Sequence, residues 1–163
     1  MNSGISRALK KEFHKKMVAD LPEFQRAGTA TGGTVYRKYD VTTGLYIFVF
    51  VQPHSKEDRF TLELGSSLTK DFPFAILPGD HAPNGEARYR INRFLKQKTD
   101  GWWNVNMPES RLPDWDAIMK TFEPEAIQKG LARLPKLVDD AVEQVKFALP
   151  RFLATIQVTS GKT

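Results

Sequence analysis

Apolar residues recur at every fourth position near the beginning of the chain. The series consists of Ile5, Leu9, Phe13 and Met17. Residues with this spacing lie on one face of an α-helix, so the pattern predicts an amphipathic helix over residues 3–19. Ser3 suits the N-cap position, because a hydroxyl oxygen there accepts hydrogen bonds from the first-turn N–H groups. We expect this helix to bury its apolar face against the rest of the protein.

After the first helix, the sequence changes from helical spacing to patterns that are typical of β-strands. Residues 34–40, 45–52 and 59–64 are rich in aromatic and β-branched residues, which favour strands. The connections between these segments are short, so we expect an antiparallel meander, preceded by a turn in the glycine-rich residues 28–33. The segment 45–52 is apolar on both sides, which is typical of a central strand.

The third strand segment has an apolar side and a polar side. Its polar residues Thr61 and Glu63 should face solvent or a polar partner. Residues 71–85 contain several prolines and glycines and are predicted to form a long ordered loop. A fourth strand fits residues 87–94. If it lies beside the third strand, Arg90 meets Glu63 in a cross-strand ion pair.

The last part of the chain returns to helical spacing. We predict a short helix near residues 114–122, a second helix that begins at Glu123 or Pro124, and a long helix from about Pro135. Pro150 should kink or break the long helix, because proline lacks the N–H that an inner helical position uses. The long helix carries an apolar stripe that should pack on the sheet. The stripe consists of Val138, Ala141, Val142, Val145, Leu149, Phe152, Leu153 and Ile156.

These elements predict an α+β fold in a single domain over residues 1–163. The core should cover about residues 4–157, and the tail 158–163 should fray. We expect an antiparallel sheet of about four strands, with the N-terminal helix and the long C-terminal helix packed on one face. The length of 163 residues and the hydrophobic content of 40% suffice for one such core.

Several short motifs along the chain resemble a bacterial protein family. They are Tyr36-Arg37, Gln52, FTLELG at residues 60–65, Arg90-Ile91, Asp100, Trp102-Trp103, Leu149-Pro150 and Phe152. Their order, spread over about residues 9–153, resembles the domain of unknown function DUF4304. Pro22-Glu23 departs from the family pattern, in which a glycine commonly precedes the position of Phe24. The resemblance implies no activity, cofactor or catalytic residue.

Composition narrows the classes of function. The chain has no cysteine and therefore no disulfide, thiol nucleophile or thiolate zinc site. Its longest apolar run, Leu45 to Val51, is far shorter than the roughly 18 residues that a membrane span needs. Residues 1–4 lead into a charged segment without the apolar core of a signal peptide. We expect a cytoplasmic protein that has no membrane partner.

The formal charge of +5 suggests nucleic acid as one class of partner. Basic residues occupy the outer side of the first predicted helix and the segment 88–98. On the helix they are Arg7, Lys10, Lys11, His14 and Lys15. A basic helix face is usually just solvated, so nucleic-acid binding by this helix and the arginine strand is the alternative hypothesis and not the first.

Residues 88–103, which read RYRINRFLKQKTDGWW, hold the candidate binding residues. These candidates are Arg88, Arg90, Trp102 and Trp103, together with Glu63 from the third strand. Adjacent residues of a strand point in opposite directions, so one tryptophan should be buried and the other partly exposed. Asp100-Gly101 is a turn signal. We expect a non-enzymatic binding module that recognises a protein or peptide with Arg88, Arg90 and the exposed tryptophan.

Catalytic motifs are weak throughout the sequence. His14, His54 and His81 lack the spacing of a zinc helix, and Ser66 lacks the GxSxG motif of a hydrolase nucleophile. Asp80, Glu86 and Arg88 approach a metal-dependent nuclease set, but an arginine stands where a lysine is expected. A metal-dependent hydrolase is therefore the third hypothesis. We predict no catalytic residue, metal site or cofactor.

Overall fold

The fold is α+β, as predicted, and it is built on one antiparallel sheet. The computed structural model describes residues 1–96, 99–106 and 115–160. The helices are α1 (Ser3–Asp20), α2 (Trp115–Lys120) and α3 (Pro124–Ser160), with a 3₁₀ helix at Ile91–Phe94. The strands are β1 (Gln25–Ala30), β2 (Gly33–Asp40), β3 (Leu45–Pro53), β4 (Asp58–Ser67), β5 (Asp80–His81), β6 (Ala87–Arg90) and β7 (Trp102–Asn106).

Within the described residues the sheet has seven strands, whereas the sequence predicts about four. The first four form the expected meander, and the order continues from β4 to β6 and β5. Strand β4 pairs along one edge with β3. Its other edge is shared by two strands, because β7 pairs with residues 58–61 and β6 pairs with residues 63–66. This shared edge brings β6 and β7 to the same side of the sheet.

The structure adds three strands to the predicted ones, β1, β5 and β7, and it ends the predicted fourth strand earlier. The predicted turn at 28–33 is limited to Thr31 and Gly32, whose φ angles are 47° and 79°, and β1 precedes it. Strand β1 is almost fully exposed, so it lacks the apolar alternation that marks a strand in sequence. The predicted fourth strand ends at Arg90, where the chain turns into the 3₁₀ helix. The predicted loop 71–85 contains the two-residue strand β5.

The sheet has a hydrophobic cluster on each face, and the two clusters are covered by different elements. The face under α1 and α3, here called the helix face, buries the α1 stripe, the α3 stripe and the inward side chains of β3 and β4 in one cluster. The opposite face, here called the loop face, holds a smaller cluster of Val35, Phe48, Phe50 and Phe72. Phe72 belongs to the segment 71–78, which crosses this face. Both helices therefore lie on one face, as predicted, and a loop covers part of the other.

Helix α3 continues through Pro135 and Pro150, so of the predicted kink or break at Pro150 the break does not occur. The helix predicted from Pro124 and the long helix from Pro135 are one element. A proline inside a helix costs about 3 kcal/mol. Beyond Pro150, however, Phe152 and Ile156 are almost fully buried, and burying such side chains stabilises by about 1.5–3 kcal/mol each. The apolar stripe therefore offsets the loss of one backbone hydrogen bond.

The N-cap of α1 is Asn2 and not Ser3. The Oδ1 atom of Asn2 accepts hydrogen bonds from the backbone N–H groups of Gly4 at 2.9 Å and Ile5 at 3.4 Å. The backbone N–H of Asn2 donates to the side chain of Asp58, at the start of β4. This cap therefore fixes the beginning of α1 to the strand that organises the sheet.

Tyr36 is an unusual polar residue on the helix face. It is only 1% exposed, and its hydroxyl has no hydrogen-bond partner among the described residues. Its ring packs 5.9 Å from Phe13 and 6.1 Å from the imidazole of His14, both on α1. Burial raises the pKa of the Tyr36 hydroxyl to about 12, and the nearby charge of Arg26 opposes this shift in part. Tyr36 therefore contributes through its ring and not through its hydroxyl.

We predict that Tyr36→Phe leaves the free energy of unfolding at neutral pH unchanged or raises it by about 1 kcal/mol, because it removes a buried hydroxyl without a partner. Above pH 10 the unfolded Tyr36 ionises while the folded one, with a pKa near 12, stays neutral. The wild type should therefore lose stability between about pH 10 and pH 12 more steeply than the variant. Urea unfolding at a series of pH values measures both effects.

The matched control for this substitution is Tyr89→Phe. The Tyr89 hydroxyl is paired with Nδ1 of His81 at 2.9 Å, so its removal should lower the free energy of unfolding by about 0.5–1.5 kcal/mol. An equal loss in Tyr36→Phe would contradict our interpretation of Tyr36.

Candidate functional site

Four of the five predicted binding residues lie together on the loop face. Glu63 is directly opposite Arg90 in the register of β4 and β6, and Arg88 projects from the same side of β6. Trp102 projects to this face from β7, the other neighbour of β4. Trp103 points to the helix face. The structure thus separates the two tryptophans, as an extended strand requires.

Trp103 is a core residue. Only 8% of its surface is exposed, and its ring stacks on Phe60 at a centroid distance of 5.4 Å. Its indole Nε1 donates a hydrogen bond to Oδ2 of Asp140 at 2.8 Å. Since Asp140 belongs to α3, Trp103 joins β7 to the long helix. The partly exposed member of the pair is Trp102.

The ion pair of Glu63 forms with Arg88 and not with Arg90. Arg88 Nε donates to Glu63 Oε2 at 2.7 Å, and the side chains are only 13% and 1% exposed, respectively. The Cα register places Arg90 opposite Glu63, as expected. The long side chain of Arg88, however, reaches Glu63 diagonally from the adjacent strand. The expected partner was therefore wrong, while the expected strand pairing is confirmed.

Arg88 also holds the segment 71–78 on the sheet. Its Nη1 donates to the backbone carbonyls of Phe74 at 3.4 Å and Ile76 at 3.3 Å. Its guanidinium lies 5.6 Å from the ring of Phe72 and 5.5 Å from the ring of Phe74. Through these contacts the Arg88 guanidinium binds groups of the protein itself. Arg88 is therefore used within the fold, and a role for it in binding a partner stays a prediction.

A second group of side chains on the loop face is exposed, as in Arg90, or partly exposed, as in Arg59, Trp102 and His54. The guanidinium of Arg59 lies 4.4 Å from the ring of Trp102, and that of Arg90 lies 5.9 Å from the same ring. His54 meets the Trp102 ring edge-on at 5.4 Å. Arg59 also pairs with Glu57, with 2.6 Å between Nε and Oε2. We call Arg59, Arg90 and Trp102 the Arg–Trp surface.

Sequence reasoning missed Arg59 as part of this surface and His54 as a neighbour of Trp102. Arg59 lies in β4, and Trp102 lies in β7, more than forty positions later. Their contact depends on β7 pairing with the first half of β4. A short strand of the sequence WWNVN gives too little alternation to predict that pairing. The sequence signal that could have marked the start of β7 is the turn pair Asp100-Gly101. In the structure these residues do form a turn, because Asp100 Oδ1 accepts a hydrogen bond from the Trp102 N–H at 3.1 Å and Gly101 has a φ of 74°.

Two open grooves flank the residues 99–104. The larger, of about 900 Å³, lies between this segment and α3, and Trp102, Asp140, Glu143 and Phe147 are among the residues that line it. The smaller, of about 570 Å³, is lined by Arg90, Arg93 and Pro78 among others. Trp102 therefore borders one groove and Arg90 borders the other. The Arg–Trp surface lies between two depressions that can receive neighbouring parts of a partner.

The residues of the hydrolase hypothesis take part in structural contacts. Ser67 Oγ donates to Glu86 Oε1 at 2.9 Å, and Ser66 Oγ donates to the carbonyl of Gly85 at 2.6 Å. Hydrogen bonds from Asn84 and Ser67 hold the pKa of Glu86 below its ordinary value. Within the described residues, no three His, Asp or Glu side chains are grouped so that they could hold a metal ion.

Some sequence predictions lie outside the described residues. They concern Lys98 in the basic segment, the beginning of the helix near residue 114, and residues 161–163 of the tail. The predicted short helix is described only as α2, and the end of α3 reaches Ser160 within the stretch expected to fray.

The two basic segments of the nucleic-acid hypothesis do not form one surface. The apolar stripe of α1 packs on the helix face, so the basic residues of α1 point away from the sheet on that side. Arg88 and Arg90 project from β6 on the loop face. A single ligand would have to contact both sides of the sheet to use both segments.

Comparisons with protein-family profiles, with curated proteins and with solved structures found no match for this chain. The resemblance to DUF4304 stays a prediction. None of the helices in the described part of the chain has the length and apolar character needed to cross a bilayer.

We predict that Arg88→Ala lowers the free energy of unfolding by about 3–5 kcal/mol, because it leaves the buried carboxylate of Glu63 without its cation. Arg90→Ala is the matched control, since Arg90 lies two residues away on the same strand and is exposed. It should change the free energy of unfolding by less than about 0.5 kcal/mol. Urea denaturation followed by tryptophan fluorescence gives both values.

A double variant separates charge burial from general damage to the sheet. Glu63→Leu combined with Arg88→Met replaces the ion pair by apolar side chains and should recover most of the stability that Arg88→Ala loses. Equal losses in Arg88→Ala and Arg90→Ala would show that the Glu63–Arg88 pair does not stabilise the loop face.

Proposed function

We propose that this protein is a non-enzymatic binding module, and that its Arg–Trp surface recognises an acidic segment of another protein. The observation that carries the proposal is the stacking of two guanidinium groups on the ring of one partly exposed tryptophan, at 4.4 and 5.9 Å. Trp102 supplies apolar contact area, and Arg90 supplies positive charge, since Arg59 is already paired with Glu57. Aromatic residues and arginine are the residue types that most often dominate binding energy at protein interfaces.

The contacts of Arg90 support its role as the main anchor. Its guanidinium lies over the Trp102 ring, which restricts the rotamers of a long side chain before any partner arrives. Within the described residues no acidic group pairs with it, so its N–H groups are available. A carboxylate can accept two parallel hydrogen bonds from one guanidinium. A side chain that is already ordered loses less entropy on binding, which favours affinity.

The surroundings of Trp102 favour a protein segment over single-stranded nucleic acid. Stacking of an unpaired base requires an accessible ring face. Here the guanidiniums of Arg59 and Arg90 lie over the ring, and His54 meets its edge. A base would have to displace an arginine, whereas a carboxylate binds to the arginine where it is. Apolar side chains next to that carboxylate can enter the groove bordered by Trp102 and Phe147.

We predict that a fluorescent peptide alternating glutamate and leucine binds to the wild type, and that Arg90→Ala weakens binding about tenfold, because a hydrogen bond to a charged group contributes about 1.5–3 kcal/mol. Trp102→Ala should have an effect of similar size, since it removes both the contact area and the support of the guanidiniums. Fluorescence anisotropy measures the dissociation constants.

Two controls make this test specific. A peptide with glutamine in place of glutamate should bind much more weakly than the acidic peptide. Lys11→Gln, on the opposite side of the sheet, should leave peptide binding unchanged. The proposal is wrong if the acidic peptide does not bind, if Arg90→Ala and Trp102→Ala leave its affinity unchanged, or if these variants instead abolish binding to single-stranded oligonucleotides.

A further inference from the structure

A row of exposed cations follows the outer side of α1. Arg7, Lys11 and Lys15 are spaced by four residues and are all exposed, while Lys10 and His14 lie beside them and are partly buried. In an α-helix this spacing places successive side chains about 6 Å apart along the axis. The row therefore extends over two helical turns or more in a nearly straight line.

These cations make no ion pair within the described part of the chain. Lys16, on the same helix, shows the contrast, because it binds Asp20 at 3.2 Å and Asp139 of α3 at 3.1 Å. Those two carboxylates raise the pKa of Lys16. Like charges four residues apart repel each other and disfavour the helix. Lys16 thus stabilises the contact of α1 with α3, whereas the outer row does not stabilise the fold.

The cationic area continues from α1 onto the neighbouring strand. Arg26 of β1 is exposed and lies opposite Tyr36 in the register of β1 and β2. The ring of Tyr36 stacks on His14 of α1, and the charge of Arg26 acts on the Tyr36 hydroxyl. Arg26 therefore lies next to the His14 side of the row. We call Arg7, Lys10, Lys11, Lys15 and Arg26 the cationic surface.

We propose that the cationic surface binds the phosphate backbone of double-stranded nucleic acid without reading its sequence. The step between neighbouring cations of the row is comparable to the step between successive phosphates of a strand, and a rigid helix keeps that step fixed. Cations aligned with phosphates gain affinity by releasing condensed counterions. The surface lies on the helix side of the sheet, so this binding is independent of the Arg–Trp surface.

The composition of the surface favours a duplex over the other polyanions. Single strands are usually bound by aromatic side chains that stack on bases, and the outer side of α1 carries no aromatic residue other than His14, which stacks on Tyr36. Membrane-surface helices insert an apolar face, but the apolar stripe of α1 is at most 1% exposed because it forms the core; the stripe consists of Ile5, Leu9, Phe13 and Met17. Val18 is the one large apolar residue of this helix that is exposed, and a single side chain is not an apolar face. A duplex needs only charge in a fixed geometry.

The test is a salt series of fluorescence anisotropy with a labelled mixed-sequence DNA duplex. The triple variant Arg7→Gln, Lys11→Gln, Lys15→Gln should bind at least about tenfold more weakly than the wild type near 0.1 M salt. Each lost phosphate contact changes the slope of log K against log salt by about 0.9, so the slope should become less negative by about 2.7. Glutamine keeps helix propensity, and the melting temperature should not fall, which shows that the variant is folded.

The matched control is the triple variant Lys129→Gln, Lys136→Gln, Arg151→Gln on α3, which removes the same number of charges from exposed positions. It should retain most of the affinity and slope of the wild type. The Arg90→Ala, Trp102→Ala variant should also bind the duplex normally, so failure of this proposal and failure of the peptide proposal are distinguishable.

Several outcomes would overturn the inference. They are no duplex binding by the wild type, equal losses in the two triple variants, stronger binding of the matching single strand than of the duplex, and binding to anionic phosphatidylserine vesicles without binding to the duplex. Equal losses of duplex affinity in the two triple variants would mean that binding depends on the net charge of the protein and not on the cationic surface. Binding to vesicles without binding to the duplex would mean that the surface recognises a membrane.

Discussion

Burial of both faces of β4 is the constraint on which the rest of the structure depends. On the helix face this strand supplies Phe60, Leu62 and Leu64, which are fully buried, while Thr61 and Glu63 on the loop face are also nearly inaccessible. A buried hydroxyl and a buried carboxylate require partners, because an unpaired polar group in a low-dielectric interior is costly.

The partners of these two polar residues determine where the neighbouring strands lie. Thr61 Oγ1 donates to the carbonyl of Gly101 at 2.7 Å, immediately before β7. Glu63 accepts from Arg88 of β6, and Arg88 in turn binds the carbonyls of the segment 71–78. One strand thereby fixes β6, β7 and the loop that covers its own polar face. The same requirement explains why residues that look suited to recognition, such as Arg88, are used inside the fold.

The elements that could be predicted from the sequence are those in which apolar residues recur with the period of a helix or a strand. The four-residue spacing in α1 and the alternation in β2 to β4 are local patterns, and the helix and the meander follow from them. Strand β1 is exposed, so its sequence QRAGTA carries no apolar alternation. The continuity of α3 through its prolines depends on tertiary burial, which local propensity does not contain. The contact of Arg59 with Trp102 depends on a pairing between strands distant in sequence, and no pattern in either segment specifies it.

Side chains of the same type differ here in whether the fold already uses them. Arg88 and Arg90 are two residues apart, yet the first binds a buried carboxylate and two carbonyls, while the side chain of the second contacts, among the described residues, only an indole ring. Lys15 and Lys16 are adjacent, yet only Lys16 pairs with acids on its own helix and on α3. A cation that stabilises the fold is chemically satisfied, and its charge is largely neutralised at short range. A cation held in place without a counter-charge retains its field for a ligand. Within the described residues this physical difference singles out Arg90 of the Arg–Trp surface, since Arg59 is paired with Glu57, and it singles out the cationic surface.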